Sequence, residues 1–182
     1  MADRVWRVGD YLAYWLDEIA RPKGRDSTYA KYETFVRCYL VPSLGRRRLD
    51  RLSTSDVRQF LKEMAASDRS SATVRVAYAV LRAALEAAVR EELVYRNVAA
   101  VVPPRVAKRD LSPWSADEAR RFLSATRGTP LYAAYVLALG LGLRRGEVLG
   151  LYWSDIDLEY RTLRVRRQLQ RVGRDLRIAP EP

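Results

Sequence analysis

The residues best suited to chemistry are two adjacent arginines and a nearby glutamate, Arg144, Arg145 and Glu147. They follow an apolar run, and the pattern predicts a short helix from near Arg144 to about Gly150. Cations in the first turn of a helix oppose its dipole, whereas the backbone N–H groups there bind anions. Two arginines at this place therefore indicate an incoming anion such as a phosphate. Glu147 can hold an arginine fork or complement the dipole. Alternatively, both arginines are solvated and Glu147 is an ordinary carboxylate at a helix start.

The charge of the whole chain points to the same kind of partner. The 182 residues include 33 Lys and Arg against 22 Asp and Glu, a formal net charge of +11, and only four of the cations are lysines. Guanidinium groups suit bidentate recognition of phosphate. A strongly basic globular chain most often has nucleic acid as its polyanionic partner. A solvated basic surface or an arginine-rich coding bias would give the same composition.

Residue types that are absent or rare exclude several classes of site. The chain has no histidine, which removes His-ligated zinc, histidine general bases and Ser-His-Asp machinery. One cysteine, Cys38, allows neither an intramolecular disulfide nor a cysteine-only metal cage, and its apolar neighbours predict a small core residue. We therefore expect no metal, no cofactor and no small-molecule substrate. The longest uncharged run, residues 128–143, is too short for a membrane span, so we expect a cytoplasmic protein without membrane association.

Four amphipathic helices are predicted to precede this region and to form a compact bundle. The first runs from about Val8 to Ile19 and stops before Arg21, and the second opens at Asp26 or Ser27 and stops near Pro42 and Gly45. The third is opened by a Ser53–Asp56 capping box, and the fourth follows Asp68 to Ser71. The segment Val101–Asp110 then has two prolines and four charges without any period. We predict a helical domain over residues 1–102, a linker over 103–112 and a second part over 113–182.

The second part is predicted to change from helices to strands. Ser115 and Glu118 form a capping box that opens a helix, and a more apolar helix starts at about Pro130. Towards the end the period changes to two, which predicts one β-hairpin that joins residues 162–166 to residues 175–178 across a turn at 172–173. The predicted fold class is mainly α with a small β-hairpin.

The sequence around the two arginines resembles the first active-site box of the tyrosine recombinases, or phage integrases. That box reads Gly-Leu-Arg-x-x-Glu before an apolar residue and a leucine, and here it stands as Gly142 to Leu151; the Trp-x-Asp-Ile-Asp that follows it stands as Trp153 to Asp157. Tyr29 to Gly45 resembles the start of the family's helical core-binding domain. Later segments, as far as Asn97–Ala99, resemble its remaining helices and exit, although Val98 stands where the family usually has proline.

The resemblance implies a fold, a function and roles for single residues. The fold would be a four-helix, SAM-like core-binding domain followed by a truncated α+β catalytic domain. The function would be DNA integration and site-specific recombination, with double-stranded DNA and other recombinase subunits as partners. Arg144 matches the arginine that grips the scissile phosphate and Glu147 its supporting carboxylate. Arg145 has no fixed role in the family and is interpreted as a backbone contact.

The family's remaining catalytic groups are not found in this sequence. Its lysine belongs in the turn after the second strand, about where the sequence ends at Pro182, and its second box and nucleophilic tyrosine come later still. We therefore expect this fragment to bind DNA without cutting it. One alternative is a non-catalytic DNA-binding regulator or remnant that occupies recombination sites. Another is a helical protein-interaction adaptor whose charge is incidental.

Further DNA contacts are predicted at two helix starts and in a basic loop. Polar and basic side chains at such places suit recognition of the phosphate backbone, although each can equally be a solvated surface residue. The candidates are Ser27, Thr28 and Lys31 in the second helix, Arg46, Arg47 and Arg48 in the loop, and Ser70, Ser71, Thr73 and Arg75 in the fourth helix.

Overall fold

The computed structural model describes residues 5–67, 69–100, 112–173 and 175–180. The chain divides into two compact units, Met1–Lys108 and Arg109–Pro182. The predicted linker over residues 103–112 lies outside the described residues except for Ser112, and the predicted domain boundaries stay a prediction.

The described residues of the first unit form four helices, as predicted. Helix α1 covers residues 8–23 as Val8–Tyr14, Trp15–Ala20 and Arg21–Lys23, and helix α2 covers residues 26–44 as Asp26–Phe35, Val36–Leu40 and Val41–Leu44. A 3₁₀ turn, Leu49–Arg51, leads to helix α3, Thr54–Ala66, and helix α4 is Ser71–Arg90.

Helices α1 and α2 each contain a wider π turn just before a proline. The predicted stop before Arg21 is wrong, because α1 continues through Pro22 to Lys23. The N–H of Arg21 donates to the carbonyl of Leu16, five residues back, and that of Val41 before Pro42 donates to Val36 in the same way. Proline lacks an N–H and clashes with the carbonyl four residues back in a regular helix. The shift to i−5 bonding gives the ring room, so the helix bends past it rather than ending.

The start of α3 confirms the expected capping box, and α4 has a serine cap that was not predicted. The Ser53 hydroxyl accepts from the N–H of Asp56 at 3.2 Å, and the Asp56 carboxylate accepts from the N–H of Ser53 at 3.0 Å. Ser70 caps α4 by accepting from the N–H of Thr73 at 3.2 Å. These side chains satisfy backbone donors that the first helical turn leaves without partners.

An apolar core joins the four helices. Its buried side chains are Val8, Tyr11, Leu12, Trp15, Leu16, Val36, Leu40, Leu44, Leu49, Leu52, Val57, Phe60, Leu61, Met64, Val74, Ala77, Tyr78, Val80, Leu81, Ala84, Leu85, Ala88, Val98 and Ala99. The prediction that Cys38 is a core residue is wrong, since Cys38 is exposed. On α2 the buried face is set by Val36, Leu40 and Leu44, and Cys38 lies midway between two of them, on the opposite side of the helix.

In the second unit the described residues form three helices and two short hairpins. They are α5 (Ala116–Thr126), α6 (Tyr132–Leu141), α7 (Arg145–Leu149), a 3₁₀ turn (Trp153–Asp155), β1 (Ile156–Asp157), β2 (Thr162–Leu163), β3 (Arg167–Val172) and β4 (Asp175–Pro180). The predicted capping box of α5 is confirmed, because the N–H of Ser115 donates to the Glu118 carboxylate and the N–H of Glu118 to the Ser115 hydroxyl. The mainly α fold class is confirmed as well.

The predicted strand pairing is wrong in one respect. Residues 162–163 do not face residues 175–178 but pair antiparallel with β1, Leu163 opposite Ile156. Strand β4 pairs with β3, with Val172 opposite Asp175. This tight register makes the six residues directly before the turn the partners of β4, so the alternating residues further back form a separate hairpin.

The two units differ in what they bury. In the described part of the second unit no apolar side chain is buried, whereas the carboxylates of Glu147 and Asp155 are. Three large apolar residues of α6, Val136, Leu139 and Leu141, are exposed. No helix among the described residues has both the length and the apolar character that crossing a bilayer would require.

The cap of α3 can be tested by a single substitution. Ser53→Ala should lower the free energy of unfolding by about 1 kcal/mol, because the N–H of Asp56 loses its partner. Urea denaturation followed by circular dichroism measures the change. The matched control is Ser55→Ala, an exposed serine in the same first turn, which should leave stability unchanged or slightly higher. Equal losses for the two variants would contradict the cap.

Candidate functional site

The loop between α6 and α7 brings the first arginine to the start of α7. Gly142 ends α6 with φ of +70°, in the left-handed region that glycine adopts without strain. Arg144 follows in extended conformation as the residue that precedes the helix, and Arg145 is the first helical residue. The prediction that both arginines lie in the first turn is therefore wrong for Arg144. Since α7 has only five residues, its dipole is a minor factor at this site.

Glu147 holds Arg144 through two hydrogen bonds. The backbone N–H of Arg144 donates to one carboxylate oxygen at 2.8 Å, and the Nη1 of the same residue donates to the other at 2.9 Å. The Arg144 side chain is 80% exposed, whereas that of Glu147 is 10% exposed. Among the described residues, Nε and Nη2 of Arg144 have no hydrogen-bond partner. A buried carboxylate thus orients an arginine whose other donors face solvent, which is a geometry suited to holding an oxyanion.

The same contacts keep Glu147 ionised. The N–H of Arg144 is the main cause that lowers the pKa of the Glu147 carboxyl below its ordinary value, and the Arg144 guanidinium lowers it further. Partial burial opposes this shift but does not overcome it. The pair therefore stays charged at neutral pH.

A second buried carboxylate, Asp155, lies close by in the chain and is not among the predicted site residues. Asp155 ends the 3₁₀ turn before β1, and its side chain is fully buried. Arg167, the first residue of β3, donates from Nη2 to Oδ1 of Asp155 at 3.3 Å. The partnership joins positions twelve apart, and no periodic pattern in the sequence signals it.

The basic loop contains one arginine that differs from its neighbours. Arg47 forms an ion pair with Asp56 at 2.9 Å, and Arg48 binds Asp50 through two hydrogen bonds of 2.8 and 3.1 Å. Arg46 makes no ion pair with any described residue. The backbone of the loop is fixed, because the N–H groups of Val8 and Gly9 at the start of α1 donate to carbonyls of Arg47 and Gly45.

The predicted contacts on α4 divide into caps and exposed side chains. The hydroxyls of Ser70 and Thr73 hydrogen-bond to each other at 2.9 Å, and Ser70 also caps the helix. Ser71 and Arg75 are exposed in the first turn. The structure therefore gives Ser70 and Thr73 a role in starting the helix and leaves Ser71 and Arg75 open to solvent.

The predicted contacts on α2 also lie in its first turns. Lys31 is exposed, whereas Ser27 and Thr28 are half-buried. The helix opens at Asp26, as predicted, but neither Asp26 nor Ser27 caps it, because Arg25 is the capping residue and makes no side-chain cap. Within the described parts of the chain, no hydrogen bond or ion pair joins the α2 group, the loop group and the α4 group to one another. No three Asp, Glu or Cys side chains among the described residues come together as a metal site would need.

Comparison with known proteins relates both units to integrases. The family "Phage integrase, N-terminal SAM-like domain" matches residues 8–65. A tyrosine recombinase XerC-like protein of Caldanaerobacter subterraneus subsp. tengcongensis is 30% identical over 173 residues, which are 91% of this chain and 44% of that protein. The chain is thus similar to tyrosine recombinases, or phage integrases, over nearly its whole length.

Two solved structures show the integrase fold of this chain. The Tn1549 transposon integrase, in complex with circular intermediate DNA, superposes with a TM-score of 0.83 at 24% identity over 96% of this chain and 59% of that one. A lambda integrase dimer bound to a COC' core site superposes with a TM-score of 0.71 at 21% identity, over 98% of this chain and 49% of that one. The predicted helical, SAM-like fold followed by part of a catalytic domain is confirmed. The chain spans less than half the length of the curated relative.

The ion pair between Arg144 and Glu147 should make the stability of the chain depend on pH in the acidic range. The folded-state pKa of Glu147 lies below its ordinary value of 4.5, so at acidic pH the unfolded chain binds more protons there. The stability that Glu147 contributes is present above the ordinary value and is lost as the pH falls through the lowered one. The wild-type chain should therefore melt at a higher temperature than Glu147→Gln at neutral pH. This gap in melting temperature should close as the pH is lowered.

Thermal melts of both proteins across this pH range give the measurement. Glu159→Gln, which changes an exposed carboxylate in the turn between β1 and β2, is the matched control and should show a small gap at every pH. A Glu147 gap that stays constant into acid would show that ionisation of this residue does not stabilise the fold.

Proposed function

We propose that the chain is a DNA-binding portion of a site-specific recombinase in which Arg144 contacts a phosphate of the DNA backbone. The observation that carries this proposal is the exposed guanidinium of Arg144, oriented by the buried Glu147 within the active-site box of the family. In that role Arg144 is a binding and catalytic group, and Glu147 is its positioning residue.

The chemistry of strand exchange explains why an arginine is needed. Transesterification at a phosphodiester builds negative charge on the non-bridging oxygens. A guanidinium that is already held in place stabilises this charge without reorganisation during the reaction. Since one donor of Arg144 is taken by Glu147, the remaining donors are the ones we assign to the phosphate. The complete recombinase would cleave through a tyrosine, and we propose that this chain contributes Arg144 and Glu147 to that site.

The partners we propose are duplex DNA and other recombinase subunits. The net charge of +11 supports a polyanionic partner. The solved relatives include an integrase in complex with DNA and an integrase dimer on a core site, which supports the same assignment by analogy. We propose the helical domain of residues 1–102 as the core-binding domain and residues 113–182 as part of the catalytic domain.

The preferred phosphate contacts of the helical unit are basic side chains that form no ion pair with a described residue, together with polar side chains at helix starts. Arg46 is preferred over Arg47 and Arg48, whose guanidinium groups already pair with Asp56 and Asp50. Ser71, Arg75 and Lys31 are proposed as further contacts because they are exposed. Ser27 and Thr28, at the start of α2, and Arg145, beside Arg144, complete the proposed set.

A salt titration tests the proposed function. If the chain neutralises about six phosphates, the logarithm of its affinity for a labelled duplex should fall against the logarithm of the salt concentration with a slope near −5. Arg46→Ala should make the slope shallower by about one unit. Arg48→Ala should change it less, because Asp50 already compensates that charge.

These two variants remove the same charge and so control for each other. An affinity that does not change with salt would rule out DNA as the partner. An equal effect of both variants would show that the ion pair of Arg48 opens on binding.

Arg144 should matter for the phosphate contact and little for folding. Arg144→Ala should weaken DNA binding by about 1–3 kcal/mol, as expected when a charge-assisted contact is lost. Its melting temperature should change little, because the side chain is 80% exposed and the backbone N–H that serves Glu147 remains. Arg145→Ala should cost less affinity. Fluorescence anisotropy with duplex DNA and a thermal melt for each variant give the comparison.

The opposite result for these two variants would show that the phosphate contact has been assigned to the wrong one of two adjacent arginines. If Arg144→Ala unfolds the protein while Arg145→Ala loses DNA binding, Arg145 is the phosphate contact and the assignment from the motif is shifted.

A further inference from the structure

Helix α7, which follows Arg144, packs directly on the backbone of β3. Gly146 and Gly150 lie four residues apart and therefore on one face of the helix. A Cβ at Gly146 would lie 2.9 Å from the carbonyl oxygen of Leu169, and a Cβ at Gly150 would lie 2.9 Å from that of Arg167. No side chain fits in this space unless the strand moves. The position of α7 is thus tied to the position of β3.

The first residue of β3 is held in turn by a buried carboxylate. Besides its hydrogen bond to Oδ1 of Asp155, Arg167 places Nη1 3.2 Å from Oδ2. The N–H of Tyr152 donates to Oδ2 at 2.9 Å, and the Arg167 guanidinium lies over the Tyr152 ring, 4.1 Å from its centroid. Asp155 therefore joins the segment after α7 to the start of the strand on which α7 packs.

The charges around Asp155 make this junction specific. The Asp155 side chain is fully buried and that of Arg167 is 20% exposed. The more exposed Arg166 places its Nε 3.8 Å from Oδ1 of Asp155. A buried carboxylate without its cation is strongly unfavourable. Arg167 is thus bound to one position, and the start of β3 with it.

We propose that Asp155 and Arg167, together with the glycine face of α7, form a clamp that sets the direction of the Arg144 guanidinium. Asp155 is then a positioning residue for the phosphate contact, although it lies eleven residues from Arg144 and forms no hydrogen bond or ion pair with it in the described structure. The inference rests on the proposed role of Arg144. It adds that the strength of the phosphate contact depends on an ion pair that does not include Arg144.

A double-mutant cycle on the whole chain tests the clamp. The affinity for a labelled duplex of mixed sequence is measured for wild type, Asp155→Asn, Arg144→Ala and the double variant. Asp155→Asn should weaken binding about tenfold when Arg144 is present and hardly at all when it is alanine, a coupling of about 1.4 kcal/mol. A purely structural role would instead lower the melting temperature in both backgrounds and leave the affinities additive. Glu159→Gln, the same chemical change at an exposed site, should affect neither.

A milder variant keeps the test decisive if Asp155→Asn does not fold. Arg167→Lys retains the charge but not the planar fork, so it should reduce affinity less than tenfold and again only when Arg144 is present. Additive effects, or no effect of either clamp variant while Arg144→Ala does weaken binding, would overturn the clamp and leave the proposed function intact. No effect of Arg144→Ala itself would overturn the proposed function and the clamp with it.

Discussion

The close approach of α7 to β3 is the constraint on which the site of the second unit depends. A helix of five residues is too short to be stable by itself, so its position must come from contacts outside it. Two glycines let it lie on the strand backbone, and the buried Glu147 connects its interior to Arg144 at its start. The geometry around the arginine is therefore a property of the helix, the strand and the ion pairs together.

The two units are stabilised by different kinds of buried group. The helical unit buries a continuous apolar core, which depends little on pH and salt. The described part of the second unit buries carboxylates instead, each held by an arginine. Buried ions require close and well-directed partners, so they specify position more strictly than apolar contacts do. Strict positioning suits this unit, because its proposed function depends on the direction in which one guanidinium points.

The large positive charge of the chain is only partly available to a ligand. Many arginines are paired within the fold, among them Arg37 with Glu33, Arg47 with Asp56 and Arg48 with Asp50. Such exposed pairs add little stability, but they neutralise charge that composition alone would assign to DNA. The structure therefore reduces a broadly basic chain to fewer candidates. Foremost are Arg46, which makes no ion pair with a described residue, and Arg144, whose pairing with Glu147 occupies Nη1 and leaves Nε and Nη2 exposed to a ligand.

The features that the sequence by itself determined are contacts between residues only a few positions apart. The capping boxes at Ser53 and Ser115 and the pairing of Arg144 with Glu147 join positions three apart, so their residue types predict them. Tertiary structure alone decided that α1 continues past Pro22, that Cys38 faces solvent, which strands pair, and that Asp155 holds Arg167. Those outcomes depend on backbone hydrogen bonding, turn register and packing against other segments, which can override a local preference or create a contact that no spacing signals.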